Sequence, residues 1–383
     1  MKRKLRMGMV GGSLDAFIGA VHRKAATMDG QIELVCGVFS SDPKKSKTTG
    51  DSLYLDPSRV YSSYEEMIKA EKKLPPDVRM DFVSIVTPNH VHFGPAKAAL
   101  ESGFHVIMDK PMTLSLAEAK KLKQITDKTG LVFALTHTYT GYPMIKEARQ
   151  LIKSGKLGKV RKVYVEYIQG WLHAPIEKTG QKQASWRSDP KKSGLGGALG
   201  DIGTHAANLA EYITGSSITE LCAELNSVVP GRLLDDDDMM FVHFDNGAHG
   251  TLIATQIAAG EENNLSIRVY GEKGGLEWRQ EEPNTLLLKW PDRAKEIYRT
   301  GMGYTSDPSK RNTRTPAGHP EGYVEAFANL YVAFANAVRD YKPGKRIDPE
   351  KYDFPDVDDG VKGMAFIEAA IKSSKGKQKW VKI

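Results

Sequence analysis

Cysteine is almost missing from this chain: Cys36 and Cys222 are the only two among 383 residues. They lie far apart, and neither stands in a CxxC or Cys/His spacing, which excludes a disulfide framework and a cysteine-based metal site. No apolar run approaches the roughly 20 residues that a membrane-spanning helix needs. The basic start, Met1-Lys-Arg-Lys-Leu-Arg, is followed by a short apolar stretch that Gly11 and Gly12 break at once, so no secretory leader is expected. The chain therefore reads as cytoplasmic, with no membrane partner. The basic residues do not gather either: a formal charge of +7 is spread along the sequence, the pattern of a solvated surface and not of a nucleic-acid footprint. A hydrophobic content of 40% and a charged content of 26% exclude disorder and fibrous repeats, and the length suits two domains.

What is present is a change of rhythm near residue 150. Before it, short apolar runs alternate with amphipathic stretches, the signature of βαβ units and a parallel sheet. Strands are expected at Leu5–Val10, Glu33–Phe39, Asp81–Val86, His105–Met108 and Leu131–Thr136, and helices at Ile18–Met28, Tyr64–Lys72, Val91–Glu101 and Leu116–Lys128. Ser115 with Glu118 three positions on is a capping box for the last of these. After Gly155 and Gly158, residues 160–168 alternate as a half-exposed strand does. Further strands are expected at Leu221–Val228, Met239–Phe244, Gly250–Ile257 and Ser266–Tyr270, giving a largely antiparallel sheet, and helices at Glu321–Asp340 and Asp356–Ser373. The expected class is α/β: a Rossmann-type parallel sheet over residues 1–140, then an α+β domain with an open antiparallel sheet over 141–383.

Three turns follow strands of the first half. Gly11-Gly12-Ser13 leads into a helix beginning at Phe17 and Ile18, where a Rossmann unit brings backbone amides onto a pyrophosphate, although Ser13 stands where the fingerprint has its second glycine. Thr87-Pro-Asn89-His-Val-His92 follows the strand Asp81–Val86, and Asp109-Lys110-Pro111 follows His105–Met108. Ligands of open α/β sheets bind beyond the carboxyl ends of the strands, where all three turns fall. The second strand ends in Ser40-Ser41-Asp42, with no acid at the usual ribose position. Ser40 and Ser41 with Lys44 tolerate a 2′-phosphate and Asp42 lies slightly late, so NAD is the expected cofactor with NADP not excluded.

The ordered set of the glycine turn, Thr87-Pro-Asn-His, Asp109-Lys-Pro and Gly200-Asp-Ile-Gly-Thr-His205 resembles the glucose–fructose oxidoreductase / inositol dehydrogenase / rhizopine-catabolism (Gfo/Idh/MocA) family over nearly the whole chain. The resemblance implies an oxidoreductase of sugars or cyclitols that assembles as a dimer or tetramer. It also implies that the peptide before Pro111 is cis, and that the family's Glu-Lys-Pro is shortened here to Asp-Lys-Pro. Segments such as Ala16–Arg23 and Gly318–Asn329 are similar to the branch of levoglucosan and glycoside 3-dehydrogenases. That implies oxidation of a pyranose 3-hydroxyl.

Alcohol oxidation needs a base for the hydroxyl proton, and Lys110 is the candidate, the alternative being a plain surface lysine. Asp201 and His205 lie four apart on one expected helix, Ala198–Thr214, and so project from one side. His205 can donate or relay a proton and Asp201 can orient it; the bland alternative is a hydrogen-bonded structural histidine. Substrate contacts are sought among His137, Tyr139, Trp171, His173, Trp186 and Arg187, and at His319 in a Gly/Pro-rich loop, although aromatics serve cores as readily as pockets. No third ligand accompanies the Asp/His pair, so no metal is expected. The acidic run Asp235–Asp238 lacks the alternating oxygens of a cation loop and reads as a solvated turn, or as supplying one substrate-side aspartate. Two other functions fit the same residues: an enzyme that keeps NAD as an internal redox carrier for glycoside cleavage or epimerisation, and a non-catalytic nucleotide-binding regulator.

Overall fold

The computed structural model describes residues 3–383, and these divide into two compact units. One runs to Thr138 and takes in Phe327–Val361; the other comprises Tyr139–Ala326 and Lys362–Ile383. The expectation of one continuous domain over 141–383 is thereby corrected, because the chain returns to the first unit after Ala326. The return has a packing reason. The Phe334 ring meets Phe82 edge-on at 5.0 Å, and the buried Tyr331 hydroxyl bonds both Ser84 Oγ (2.9 Å) and His22 Nδ1 (2.8 Å).

The first unit holds a five-stranded parallel sheet in the order β2-β1-β3-β4-β5, from β1 (Leu5–Gly11), β2 (Ile32–Val38), β3 (Phe82–Val86), β4 (His105–Met108) and β5 (Phe133–Leu135). Every residue of β3 and β4 is buried, as strands covered on both faces require. Five helices alternate with these strands: α1 (Phe17–Met28), α2 (Pro43–Ser52), α3 (Tyr64–Lys73), α4 (Phe93–Glu101) and α5 (Leu116–Thr129). The capping box is present: Ser115 Oγ accepts from Glu118 N, and Glu118 Oε2 accepts from Leu114 N. Helix α2 escapes a periodicity search because Pro43–Ser52 has almost no apolar face. It is set by Asp42, whose side chain caps the Lys44 and Lys45 amides, and by Pro43 in the first turn.

The second unit carries a nine-stranded sheet in the order β13-β12-β11-β10-β6-β9-β8-β7-β14. Its strands are β6 (Val160–Ile168), β7 (Ile218–Asn226), β8 (Asp237–Phe244), β9 (His249–Thr255), β10 (Asn264–Gly271), β11 (Gly275–Arg279), β12 (Thr285–Lys289), β13 (Glu296–Arg299) and β14 (Trp380–Lys382). All pairings are antiparallel except β6 with β9. Along β8, Asp238, Met240, Val242 and Phe244 turn inward while Met239 and Phe241 stay exposed, the alternation of a sheet with one open face. The expected single helix over Ala198–Thr214 is corrected in part: Leu199–Gly203 is a π-helical turn and the α-helix starts at Thr204. The apolar face survives, since Leu199, Ile202, Ala206, Leu209 and Ile213 are all buried. The four-residue step from Asp201 to His205, however, crosses out of the wider turn and no longer equals one α-helical turn.

Candidate nucleotide and substrate sites

At the carboxyl end of β1 the backbone turns through Gly11 and Gly12, with φ of +86° and +77°, a region that side chains oppose. A Cβ on Gly11 would lie 2.8 Å from Val86 O, and one on Gly19 would lie 2.3 Å from Gly12 Cα. The glycine that packs α1 against the turn is thus Gly19, not the fingerprint's position at Ala16. Arg23 Nη1 braces the turn from α1 by donating to Gly12 O at 2.6 Å. No side chain caps the start of α1, so its first amides remain available to an anion. Ser13 is buried and donates to Asp15 Oδ1 at 2.6 Å, while Phe17 is exposed and Ile18 half-buried. Thr87 Oγ1 is buried without a protein partner. A glycine cradle, an uncapped helix start and an orphaned hydroxyl fit a dinucleotide.

The turn after β4 carries Asp109 and Lys110, and the Lys110–Pro111 peptide is cis. Asp109 Oδ1 accepts from the Lys110 amide (2.8 Å) and from Thr136 Oγ1 (3.3 Å). This shapes the turn; Asp109, expected to touch the cofactor, spends its carboxylate locally. His92, assigned the same role from sequence, is wholly buried instead. Its ring spans two turns, Nε2 lying 2.8 Å from Thr87 O and Nδ1 2.8 Å from Pro111 O, and burial pushes its ionisation down. It positions the turns and does not face outward. Asn89 is buried beside them. Burial, helped by the Lys110 charge, pushes His137 down to about 3, so this expected substrate residue is a neutral, buried imidazole in the first unit. Ser40 Oγ accepts from the Asp42 amide at 3.1 Å, and Ser41 is exposed.

In the second unit a connected polar cluster surrounds Asp201. Its Oδ2 accepts from Arg187 Nε (3.1 Å) and Gln256 Nε2 (2.9 Å). Gln256 also donates to Gln169 Oε1 (3.1 Å), which accepts from Trp171 Nε1 (3.0 Å). Gln169 Nε2 and the Tyr167 hydroxyl both donate to Asn263 Oδ1 (2.6 and 2.8 Å), and the Tyr139 hydroxyl bonds that of Tyr167. The Arg187 guanidinium lies over Trp186 at 4.2 Å and Trp171 at 5.9 Å. His205 meets the Tyr139 ring edge-on at 4.9 Å. Asp201, His205, Tyr139, Trp171, Trp186 and Arg187 are therefore joined in one network of contacts. Gln169, Gln256 and Asn263 went unnoticed in the sequence: each lies one residue beyond a strand end, of β6, β9 and β10, where an amide looks like ordinary loop surface. His173 and His319 stay apart on exposed turns, their Nδ1 atoms on Gly170 O and Pro316 O.

The acidic run is not a solvated turn, which corrects the expectation. Asp235 accepts from the Gly197 and Leu199 amides at 2.8 and 2.7 Å, anchoring the approach to Asp201. Asp236 is buried against the Val228 and Val229 amides and Arg232. Asp238 is fully buried; burial, then the neighbouring Asp235, pushes its carboxyl well above the usual range. Among the described residues no three His, Cys, Asp or Glu side chains are grouped to hold a metal, and no helix is long and apolar enough to cross a membrane.

Two family profiles match: the oxidoreductase family with an NAD-binding Rossmann fold over residues 5–137, and the GFO/IDH/MocA C-terminal domain over 145–277. Over 387 aligned residues the sequence is 33% identical to the uncharacterized oxidoreductase YfiI of Bacillus subtilis (strain 168), covering 100% of this chain and 97% of that protein. The chain belongs to the Gfo/Idh/MocA oxidoreductase family. Its first unit is accordingly an NAD-binding Rossmann domain, and the protein is an oxidoreductase. It is also 28% identical to levoglucosan dehydrogenase of Pseudarthrobacter phenanthrenivorans (strain DSM 18606 / JCM 16027 / LMG 23796 / Sphe3), over 80% of each chain. The crystal structure of an inositol dehydrogenase homolog complexed with NAD+ from Azotobacter vinelandii matches with a TM-score of 0.93 and 34% identity, covering 100% of this chain and 98% of that one.

Proposed function

We propose that the protein oxidises a secondary hydroxyl of a sugar, glycoside or cyclitol, specifically the 3-hydroxyl of a pyranose, with Lys110 as the acid/base. The observation that carries this reading is the cluster around Asp201: a carboxylate held by Arg187 and Gln256, linked amides, and flanking tryptophans. Rows of donors and acceptors beside aromatic faces complement a polyol. Two relatives, a levoglucosan dehydrogenase and an inositol dehydrogenase homolog, support the same class.

In this reading the Gly11-Gly12-Ser13 turn and the start of α1 hold the pyrophosphate, with Thr87 and Asn89 lining the same edge. Bound NAD supplies the hydride acceptor. Lys110 Nζ takes the proton of the reacting hydroxyl, Asp201 holds a neighbouring hydroxyl, and His205 keeps the substrate oxygen hydrogen-bonded as charge develops on it. The exposed Met239 and Phe241 on the open sheet face support self-association as a dimer or tetramer.

The test is a panel of pyranosides and cyclitols mixed with protein and NAD+, followed by absorbance of reduced nicotinamide. Reduction in step with formation of a 3-keto sugar is expected. Oxidation at another carbon removes the C3 assignment. Product formed without net NADH release points to internal redox cycling and overturns the simple dehydrogenase reading.

A further inference from the structure

Asp15 and Lys45 have no role in the reading above, yet both stand at the nucleotide end of the first unit. Asp15 lies between the glycine turn and α1. Lys45 lies in the first turn of α2, shortly after β2 ends. In a Rossmann unit this strand end meets the adenosine ribose, and its charges decide whether a 2′-hydroxyl or a 2′-phosphate is accepted.

The two side chains are joined: Lys45 Nζ is 2.5 Å from Asp15 Oδ2, and Asp15 Oδ1 accepts from Ser13 Oγ at 2.6 Å. Asp42, the one acid between Ser40 and Lys45, turns Oδ1 onto its own helix, at 2.9 Å from the Lys44 amide and 3.5 Å from that of Lys45. We propose that the Asp15–Lys45 ion pair selects NAD over NADP, by satisfying the lysine's charge internally and keeping a carboxylate beside the ribose end of the site. This rests on the nucleotide-binding part of the reading above and on no assumption about the sugar.

The charge balance carries the argument. Asp15 and Lys45 cancel each other as a pair, so this lysine offers no net charge to a phosphate. A phosphate monoester brings about −1.5 to −2 charges at neutral pH and needs a net positive partner. A ribose hydroxyl needs none. Removing the Asp15 charge leaves one lysine charge uncompensated and frees a side chain that is already 39% exposed, against 46% for Asp15. An exposed pair of this kind contributes little to stability, so the substitution changes the site without unfolding the unit.

The measurement is direct binding of NADH and NADPH to the full chain, by calorimetric titration, for wild type, Asp15→Asn, and Asp15→Asn combined with Lys45→Ala. Wild type is expected to bind NADH the more tightly. Asp15→Asn is expected to shift the NADPH-to-NADH affinity ratio toward NADPH by about tenfold, and adding Lys45→Ala should abolish that gain. An unchanged ratio in Asp15→Asn, a gain that survives the second substitution, or a wild type that prefers NADPH each overturns the proposal while leaving nucleotide binding intact. A wild type that binds neither nucleotide overturns the proposal together with the reading beneath it.

Discussion

Single side chains carry the chemistry, and they differ in what their surroundings leave them free to do. Asp109 and His92 are bound to the turns that present Lys110, so replacing them disturbs placement, whereas replacing Lys110 removes the proton carrier itself. Lys110→Ala is expected to lower kcat by about 10²-fold or more, the usual size of an acid–base contribution, with NADH affinity largely kept. Turnover within a few-fold of wild type would remove the assigned role. Gln256→Leu tests the cluster separately: it takes the Gln256 donor from Asp201 Oδ2, leaves that of Arg187, and does not touch Lys110. Losing one hydrogen-bond partner of this half-buried carboxylate costs on the order of 1–2 kcal/mol. KM for the sugar should therefore rise by about tenfold while nucleotide affinity stays put. A fall in kcat alone would contradict a substrate-holding role. At this scale a residue can be singled out in the sequence where it stands in an ordered motif, as Lys110, Asp201 and His205 do. The sequence is opaque for Gln169, Gln256 and Asn263, whose importance arises only when strands β6, β9 and β10 bring them within bonding distance.

Elements were readable wherever a local signal fixed them. The Ser115–Glu118 box places the start of α5 at Leu116, and the runs of β3 and β4, apolar except for Ser84 and His105, announce buried parallel strands. Helix α2 carries the complementary lesson: its polar face hides it from periodicity, but Asp42-Pro43 is a complete start signal in two residues. The π turn at Leu199–Gly203 has no such signature, and Asp235, far along the chain, holds its entry. Strand β8 places a second acid, Asp238, inside the sheet, where burial keeps it protonated well above the ordinary value of 3.8. The unfolded chain releases that proton near its ordinary value, and the folded chain does so only at much higher pH. Asp238 therefore favours folding at low pH, and this is lost as pH rises. Asp238→Asn mimics the protonated form. Its melting temperature should match wild type near pH 4 and exceed it at pH 8, measured by differential scanning calorimetry; a deficit that grows with pH would show that the folded state wants the charge.

At the scale of the whole molecule, buried histidines of the first unit stand against the buried Asp238 of the second, and the first unit is completed by Phe327–Val361 from late in the chain. In that unit, burial pushes His22 and His105 down to about 4 and His137 to about 3. The hydrogen bonds agree: His105 Nδ1 accepts from the Val132 amide at 2.9 Å and must be unprotonated to do so. Unfolded histidine binds its proton near pH 6.5. Below that value the unfolded state gains protons that the folded state refuses, so stability falls as pH drops from about 6.5 toward the folded values. At pH 5 the loss is about 2 kcal/mol for each of the three histidines, a large share of what holds a domain together. Asp238 pulls the second unit the other way. Hydrogen exchange resolved by peptide, at pH 7 and pH 5 with rates corrected for intrinsic chemistry, should show protection collapsing first in β1–β5 and in residues 327–340, while β6–β10 hold. Saturating NADH should restore part of that protection, because a ligand bound only by the folded unit stabilises it by mass action. Equal loss in both sheets, or earlier loss in β6–β10, would mean that the buried histidines do not govern the acid response.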